Sequence, residues 1–322
     1  MKKILFLLLA ISSVFLLSCE ENFSPFGEYS EKYAFTCILK NDTQSQIAFL
    51  SHSYSTNGYD PYENTVDPAI VGADVRVWYN DSVFVFKDSS VARTDTSRYK
   101  TPLHFYYNNQ FNVQSNKPIE LEVLLPNGRR LKSSSTSPDK IDFSNGSEVL
   151  VPPEDKQFIQ FTWNQHVEGT LFQSRLAIRY RQNVNGEQVE KTKEVPLRYV
   201  ISNGVEVPVY PIPSAAIGIA YPLDAVTKTL EEISEGDPDK QNYSIYEKLI
   251  FIVVAYDSPL SRYASSISGS VDDLTVSESV SDYTNIEGGY GVFGSYSKKN
   301  YDRLRFLESY IQSFGYNFIS GN

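Results

Sequence analysis

The chain is 322 residues long, 41% hydrophobic and 21% charged, with a formal net charge of −10. That composition describes a folded globular protein rather than a disordered one, and the negative charge argues against nucleic acid and against anionic lipid headgroups as partners. Three scattered histidines, His52, His104 and His166, lack a metal-ligand spacing such as His-x-x-x-His.

The first residues carry the most specific signal. Met1-Lys2-Lys3 is followed by an apolar run from Ile4 to Leu17, interrupted only by Ser12 and Ser13. A basic start, a short apolar stretch and a small residue at its end describe a secretory signal peptide over residues 1–18. The run is shorter than the roughly 20 apolar residues that a membrane span needs. Leu16-Leu17-Ser18-Cys19 resembles the bacterial lipobox, which implies cleavage before Cys19 and acylation of that cysteine. Each buried methylene contributes about 0.8 kcal/mol, so a triply acylated Cys19 is a lasting anchor. Residues 19–30, opening with Glu20-Glu21, read as a flexible tether. The acidic pair fits either an export tag or a plain polar spacer. With Cys19 acylated, Cys37 has no intrachain partner and reads as a small buried residue.

Residues 31–140 read as short strands divided by turn chemistry. Lys32 to Lys40 sets Tyr33, Phe35, Cys37 and Leu39 on one face, and Gln46 to His52 follows as a second strand. The next loop, Ser53 to Asp67, holds Tyr54, Tyr59 and Tyr62, with Asn57-Gly58 between them. Tyrosine offers a large contact area at low entropy cost, so these rings form either a ligand or partner contact surface or a flap folded onto the strands. Ala73 to Tyr79 and Val83 to Lys87 form a hairpin across Asn80-Asp81-Ser82, and Ile119 to Leu125 pairs with Arg129 to Ser133 across Pro126-Asn127-Gly128. Strands at this spacing predict an immunoglobulin-like or transthyretin-like β-sandwich, with Ser133 to Pro138 leading out toward a boundary near residue 140.

Residues 141–322 read as a β-rich mixed domain with a few short helices, so the whole chain is mainly β. Gln157 to Trp163 is a strand; Leu171 to Arg181 pairs with Val189 to Tyr199 across Asn185-Gly186; a further hairpin turns at Asn203-Gly204. Pro208 to Pro213, with alternate prolines, is extended but barred from the middle of a sheet. Leu223, Val226, Leu230 and Ile233 define a helix ended by Gly236. Lys248 to Tyr256 is a buried strand, and Ser258-Pro259 opens a second helix with Ser258 as its cap. Leu304, Leu307, Ile311 and Phe314 predict a C-terminal helix closed by Gly315.

The tempting chemical motifs are weak. Gly289 to Gly294 spells Gly-x-Gly-x-x-Gly, yet no strand precedes it and no helix opens at it, as dinucleotide binding requires. Gly288, Gly289, Gly291 and Gly294 instead read as a structural glycine turn, with positive φ expected at Gly289 and Gly291. Asp237-Pro238-Asp239 and Asp272-Asp273 lack the glycine and distal glutamate of an EF-hand and read as solvated loop charge. No Gly-x-Ser-x-Gly elbow occurs. The inventory indicates no catalytic residues, no metal and no cofactor.

Three segments, Ile47 to Ser51, Val71 to Val77 and above all Tyr283 to Gly294, together with the lipobox, resemble a large Bacteroidota family of lipoproteins of unknown function, often encoded beside TonB-dependent outer-membrane receptors. Tyr290 stands where a smaller aliphatic residue is expected. The resemblance implies a β-rich protein lipid-anchored at the outer membrane in the company of a TonB-dependent receptor. The expectation built on it is a binding accessory of that uptake system, on the surface or the periplasmic face, with the acidic Glu20-Glu21 pair favouring the surface. The competing expectation is an envelope structural or adhesion lipoprotein. A hydrolase assembled from scattered Asp, Glu and His is a third.

Overall fold

The computed structural model describes residues 29–55, 60–144, 146, 148–164, 169–268 and 283–321. The leader, Cys19, most of the tether, Asn57-Gly58, Tyr59, His166 and Asp272-Asp273 lie outside them.

The chain is mainly β, with nineteen strands and three short α-helices among the described residues. In the first half these are β1 (Tyr33–Lys40), β2 (Gln46–His52), β3 (Asp74–Tyr79), β4 (Ser82–Val91), β5 (Leu103–Asn108), β6 (Pro118–Leu124) and β7 (Arg130–Thr136). β4 makes the corner of a two-layered arrangement. Its first residues pair with β3 and its last with β5. One layer is therefore β1-β2-β5-β4 and the other β4-β3-β6-β7. Period-two burial fills the space between them: Tyr33, Phe35, Cys37 and Leu39 from β1 meet Val75, Val77, Leu121 and Val123 from β3 and β6.

The second half contributes β8 (Val149–Val151), β9 (Phe158–Thr162), β10 (Phe172–Val184), β11 (Glu187–Val195), β12 (Arg198–Ser202), β13 (Val205–Val209) and β14 (Gly218–Pro222). Helix α1 (Leu223–Ile233) follows, then β15 (Tyr243–Tyr246), β16 (Ile250–Tyr256), helix α2 (Ser258–Ser268), β17 (Tyr290–Asn300), β18 (Leu304–Phe306), helix α3 (Glu308–Ser313) and β19 (Asn317–Ile319). A second core lies between the β10–β16 face and α1. At its centre Phe161 stacks on Phe251 with ring centroids 3.7 Å apart.

The two halves share one sheet, in the order β19-β15-β10-β16-β17-β1-β2-β5-β4-β3-β6-β7. The halves join at β17, antiparallel to β16 and parallel to β1. The first core thus takes Ile286 and Phe293 from far beyond the boundary expected at residue 140.

Local chemistry explains the turns. Asn80-Asp81, Asn185-Gly186 and Asn203-Gly204 each place two consecutive residues at positive φ, which two-residue hairpins need to match the twist of their strands. Several expectations need correction. Ser133 to Thr136 continue β7 and do not form an exit linker. The second strand of the Asn185-Gly186 hairpin stops at Val195, and Tyr199 belongs to the next hairpin. Leu304 lies in β18, paired with β8, so the last helix is shorter than its apolar spacing suggested. Helix α2 is capped by Asp257, whose Oδ1 accepts from Leu260 N at 2.9 Å, and not by Ser258. Strand β5 was not foreseen, because Leu-His-Phe-Tyr-Tyr-Asn shows no clean alternation.

Candidate functional site

A cleft of about 780 Å³ lies on the sheet face opposite the second core. Its floor follows from the sequence of β16. Phe251, Val253 and Ala255 point into the core, while Ile252, Val254 and Tyr256 occupy the other face and are half-buried. Both faces of this central strand are apolar, a pattern found where sheets are covered on both sides. Here Leu260, Tyr263 and Ala264 of α2 wall one part, and the rest is open among the described residues. The volume suits a small organic ligand, for which clefts run roughly 300–1,000 Å³.

Polar groups flank the apolar strip. On β10, opposite Val254 and Ile252, stand Gln173 and Arg175; on β17, opposite Tyr256 and Val254, stand Tyr296 and Lys298. Tyr256 donates its hydroxyl to Gln173 Oε1 at 2.5 Å. Arg175 pairs with Glu194 at 2.9 Å, and Lys298 with Asp42 at 2.9 Å. Burial, helped by Asp42, pushes the Tyr296 hydroxyl up to about 12. None of these flanking side chains was singled out by sequence reasoning. The signal was present in the doubly apolar strand Ile250 to Tyr256, though it read only as a buried one.

The tyrosine loop is organised by an arginine that sequence reasoning passed over. Arg98 donates from Nη2 to the Tyr54 hydroxyl at 2.7 Å, and its guanidinium carbon lies 5.0 Å from the Tyr62 ring centre and 4.8 Å from that of Tyr99. Nearby, Arg93 pairs with Asp67 at 2.6 Å. Tyr54 is half-buried while Tyr62 is 73% exposed. Both rings lie beside the same guanidinium, Tyr54 with its hydroxyl held and Tyr62 with its outer face offered to solvent.

The glycine segment is not all turn. Gly288, at φ +82°, lies in the turn; Gly291 and Gly294 lie within β17. Gly291 has φ +106°, and a Cβ there would come within 2.1 Å of Phe35 O on the parallel neighbour. Gly289 does not have the expected positive φ; it is small because a Cβ would meet Tyr33 O at 2.8 Å. At Gly294 the obstacle is Asp257 Oδ1, 2.9 Å away.

Asp257 is itself a junction. Only 2% exposed, its Oδ2 accepts from Ser135 Oγ of β7 at 2.6 Å and from Ser295 N and Oγ of β17 at 2.6 and 2.9 Å, while Oδ1 caps α2. Burial raises its pKa, with the hydrogen bonds opposing that rise.

Cys37 is 1% exposed, and burial pushes its thiol up to about 12, which leaves it unreactive at neutral pH. The Asp237 and Asp239 carboxylates accept local backbone N–H groups of Asp239 and Gln241. Among the described residues no group of three His, Cys, Asp or Glu side chains is placed to hold a metal ion. Among them, too, no helix is long and apolar enough to cross a membrane. Neither a protein-family model nor a curated protein matches the chain.

Two outcomes follow from this geometry. Gly291→Ala should cost more than about 3 kcal/mol, since it combines an unfavourable φ with a backbone collision; Gly128→Ala, at φ +84° with open space around it, should cost only about 1 kcal/mol. Urea unfolding of both variants checks the order. For Asp257, a carboxyl pKa raised by folding gives a stability contribution that is present below the ordinary value of 3.8 and is lost as pH rises through the raised value. The unfolding free energy of the wild type minus that of Asp257→Asn should therefore fall as pH rises from about 4. A flat or rising difference would contradict the assignment.

Proposed function

We propose that this protein is a lipid-anchored outer-membrane lipoprotein that captures a ligand as an accessory of a TonB-dependent uptake receptor. The observation that carries the capturing role is the half-open cleft of about 780 Å³ floored by Ile252, Val254 and Tyr256. An apolar strip with hydrogen-bonding side chains on both flanks is what a small-ligand site requires. The anchor rests on Leu16-Leu17-Ser18-Cys19, and the choice of partner on the likeness of Tyr283 to Gly294 to lipoproteins encoded beside such receptors. The exposed Tyr62 ring, backed by Arg98, gives a candidate contact with the receptor.

A structural or adhesive envelope role is the second reading. It is favoured by the β12–β13 hairpin, whose Val200, Val205 and Val207 share one face and are 37%, 64% and 40% exposed, because exposed apolar patches mark contact surfaces.

Pull-down of the native lipoprotein from its own membranes in mild detergent separates the two. A TonB-dependent receptor recovered in stoichiometric amount is the expected result, and Cys19→Ala should release a folded protein from the membrane fraction. Recovery of the lipoprotein with no β-barrel partner would overturn the uptake reading in favour of the structural one.

A further inference from the structure

We infer that the cleft takes an uncharged peptide in extended conformation, laid along β16 with apolar side chains at alternate positions facing the floor. This rests on the reading of the protein as a ligand-capturing one and adds the class of ligand.

The floor has the repeat of an extended chain. Ile252, Val254 and Tyr256 recur every second residue, so apolar contacts are spaced about 7 Å apart over a ribbon of about 13 Å. An extended peptide presents side chains at the same repeat, and four of its residues cover that length. Its amide N–H and C=O groups point sideways, toward the flanks rather than the floor.

The flanks supply what those groups need. β10 and β17 lie on either side of β16, about 10 Å apart. One brings Gln173 and Arg175, the other Tyr296 and Lys298. Gln173 spends its Oε1 on Tyr256, and its amide N–H groups have no partner among the described residues. They are donors for a peptide carbonyl, and the adjoining Tyr256 oxygen is an acceptor for a peptide N–H.

Charge narrows the class. Arg175 is already paired with Glu194 and Lys298 with Asp42, so neither flank carries an excess charge for an ionic ligand. A sugar needs a partner for each hydroxyl it desolvates, and a floor of Ile252 and Val254 offers none. An alkyl chain would cover the floor but leave the Gln173 amide desolvated and unpaired. A peptide with apolar side chains satisfies both parts.

Titration calorimetry on the full lipoprotein in lipid nanodiscs tests this, with four probes: a capped tetrapeptide of alternating leucine and serine, capped tetraserine, octanoate and maltotetraose. Only the leucine-containing peptide should bind. Val254→Lys, which sets a charge in the floor, should weaken it by at least about tenfold. Gln173→Ala, a milder change at a half-buried position, should weaken it about fivefold with an unchanged melting temperature. Absence of peptide binding, or binding of octanoate or maltotetraose in its place, would overturn the ligand class. Peptide binding unaltered in both variants would overturn the site. A chain that co-purifies with a receptor yet binds no peptide keeps the uptake reading and loses this one.

Discussion

The parallel ladder between β1 and β17 joins the first strand of the folded chain to one of its last, in a register running from Ala34 with Tyr290 to Lys40 with Tyr296. Pairing two strands so far apart in sequence closes a very long loop, and the entropy of that closure is set against contacts from both cores. Its geometry is restrictive as well. Phe35 O lies where a side chain at position 291 would begin, and Tyr33 O does the same at position 289. Glycine is required there by contact with a neighbouring backbone. The same strand sends Phe293 into the first core and accepts β16 on its other edge.

That placement creates the cleft. With β17 fixed between β1 and β16, the face of Tyr296 and Lys298 continues across Ile252 and Val254 to Gln173 and Arg175. Helix α2 is set against this face at one end only, held by the Asp257 carboxylate that also ties Ser135 and Ser295. One buried carboxylate thus connects the last strand of the first half, the joining strand β17 and the wall of the site. Charge-assisted hydrogen bonds of this kind are worth more than neutral ones, and they hold together elements far apart in sequence.

Much of the local structure was legible in the sequence. The alternation from Tyr33 to Leu39, the Asn-Gly hairpins and the Leu223 to Ile233 helix are local signals, and each sits where its pattern places it. What escaped was non-local. No periodicity tells that Tyr290 to Asn300 is a strand, because its glycines answer to Phe35 and Asp257 and not to a turn. The apolar spacing of Leu304 to Phe314 looks helical, but Leu304 and Phe306 face inward from a strand paired with Val149 to Val151. In the site, the tyrosine loop was visible as composition while its organiser, Arg98, sits over thirty positions away in chain order. The cleft was less visible still, since its floor reads as an ordinary buried strand until the open face is seen.

The central claim is that β17 makes the two cores one cooperative unit. Native-state hydrogen exchange measures this most directly, because it reports the opening free energy of each strand separately. The account predicts that amides of Cys37 and Leu39 in β1, Phe293 and Ser295 in β17, and Phe251 and Val253 in β16 open with the same free energy, equal to that of global unfolding. Opening of β1 at a distinctly lower free energy, with β16 and β17 still protected, would show that the first layer stands apart and would contradict the account.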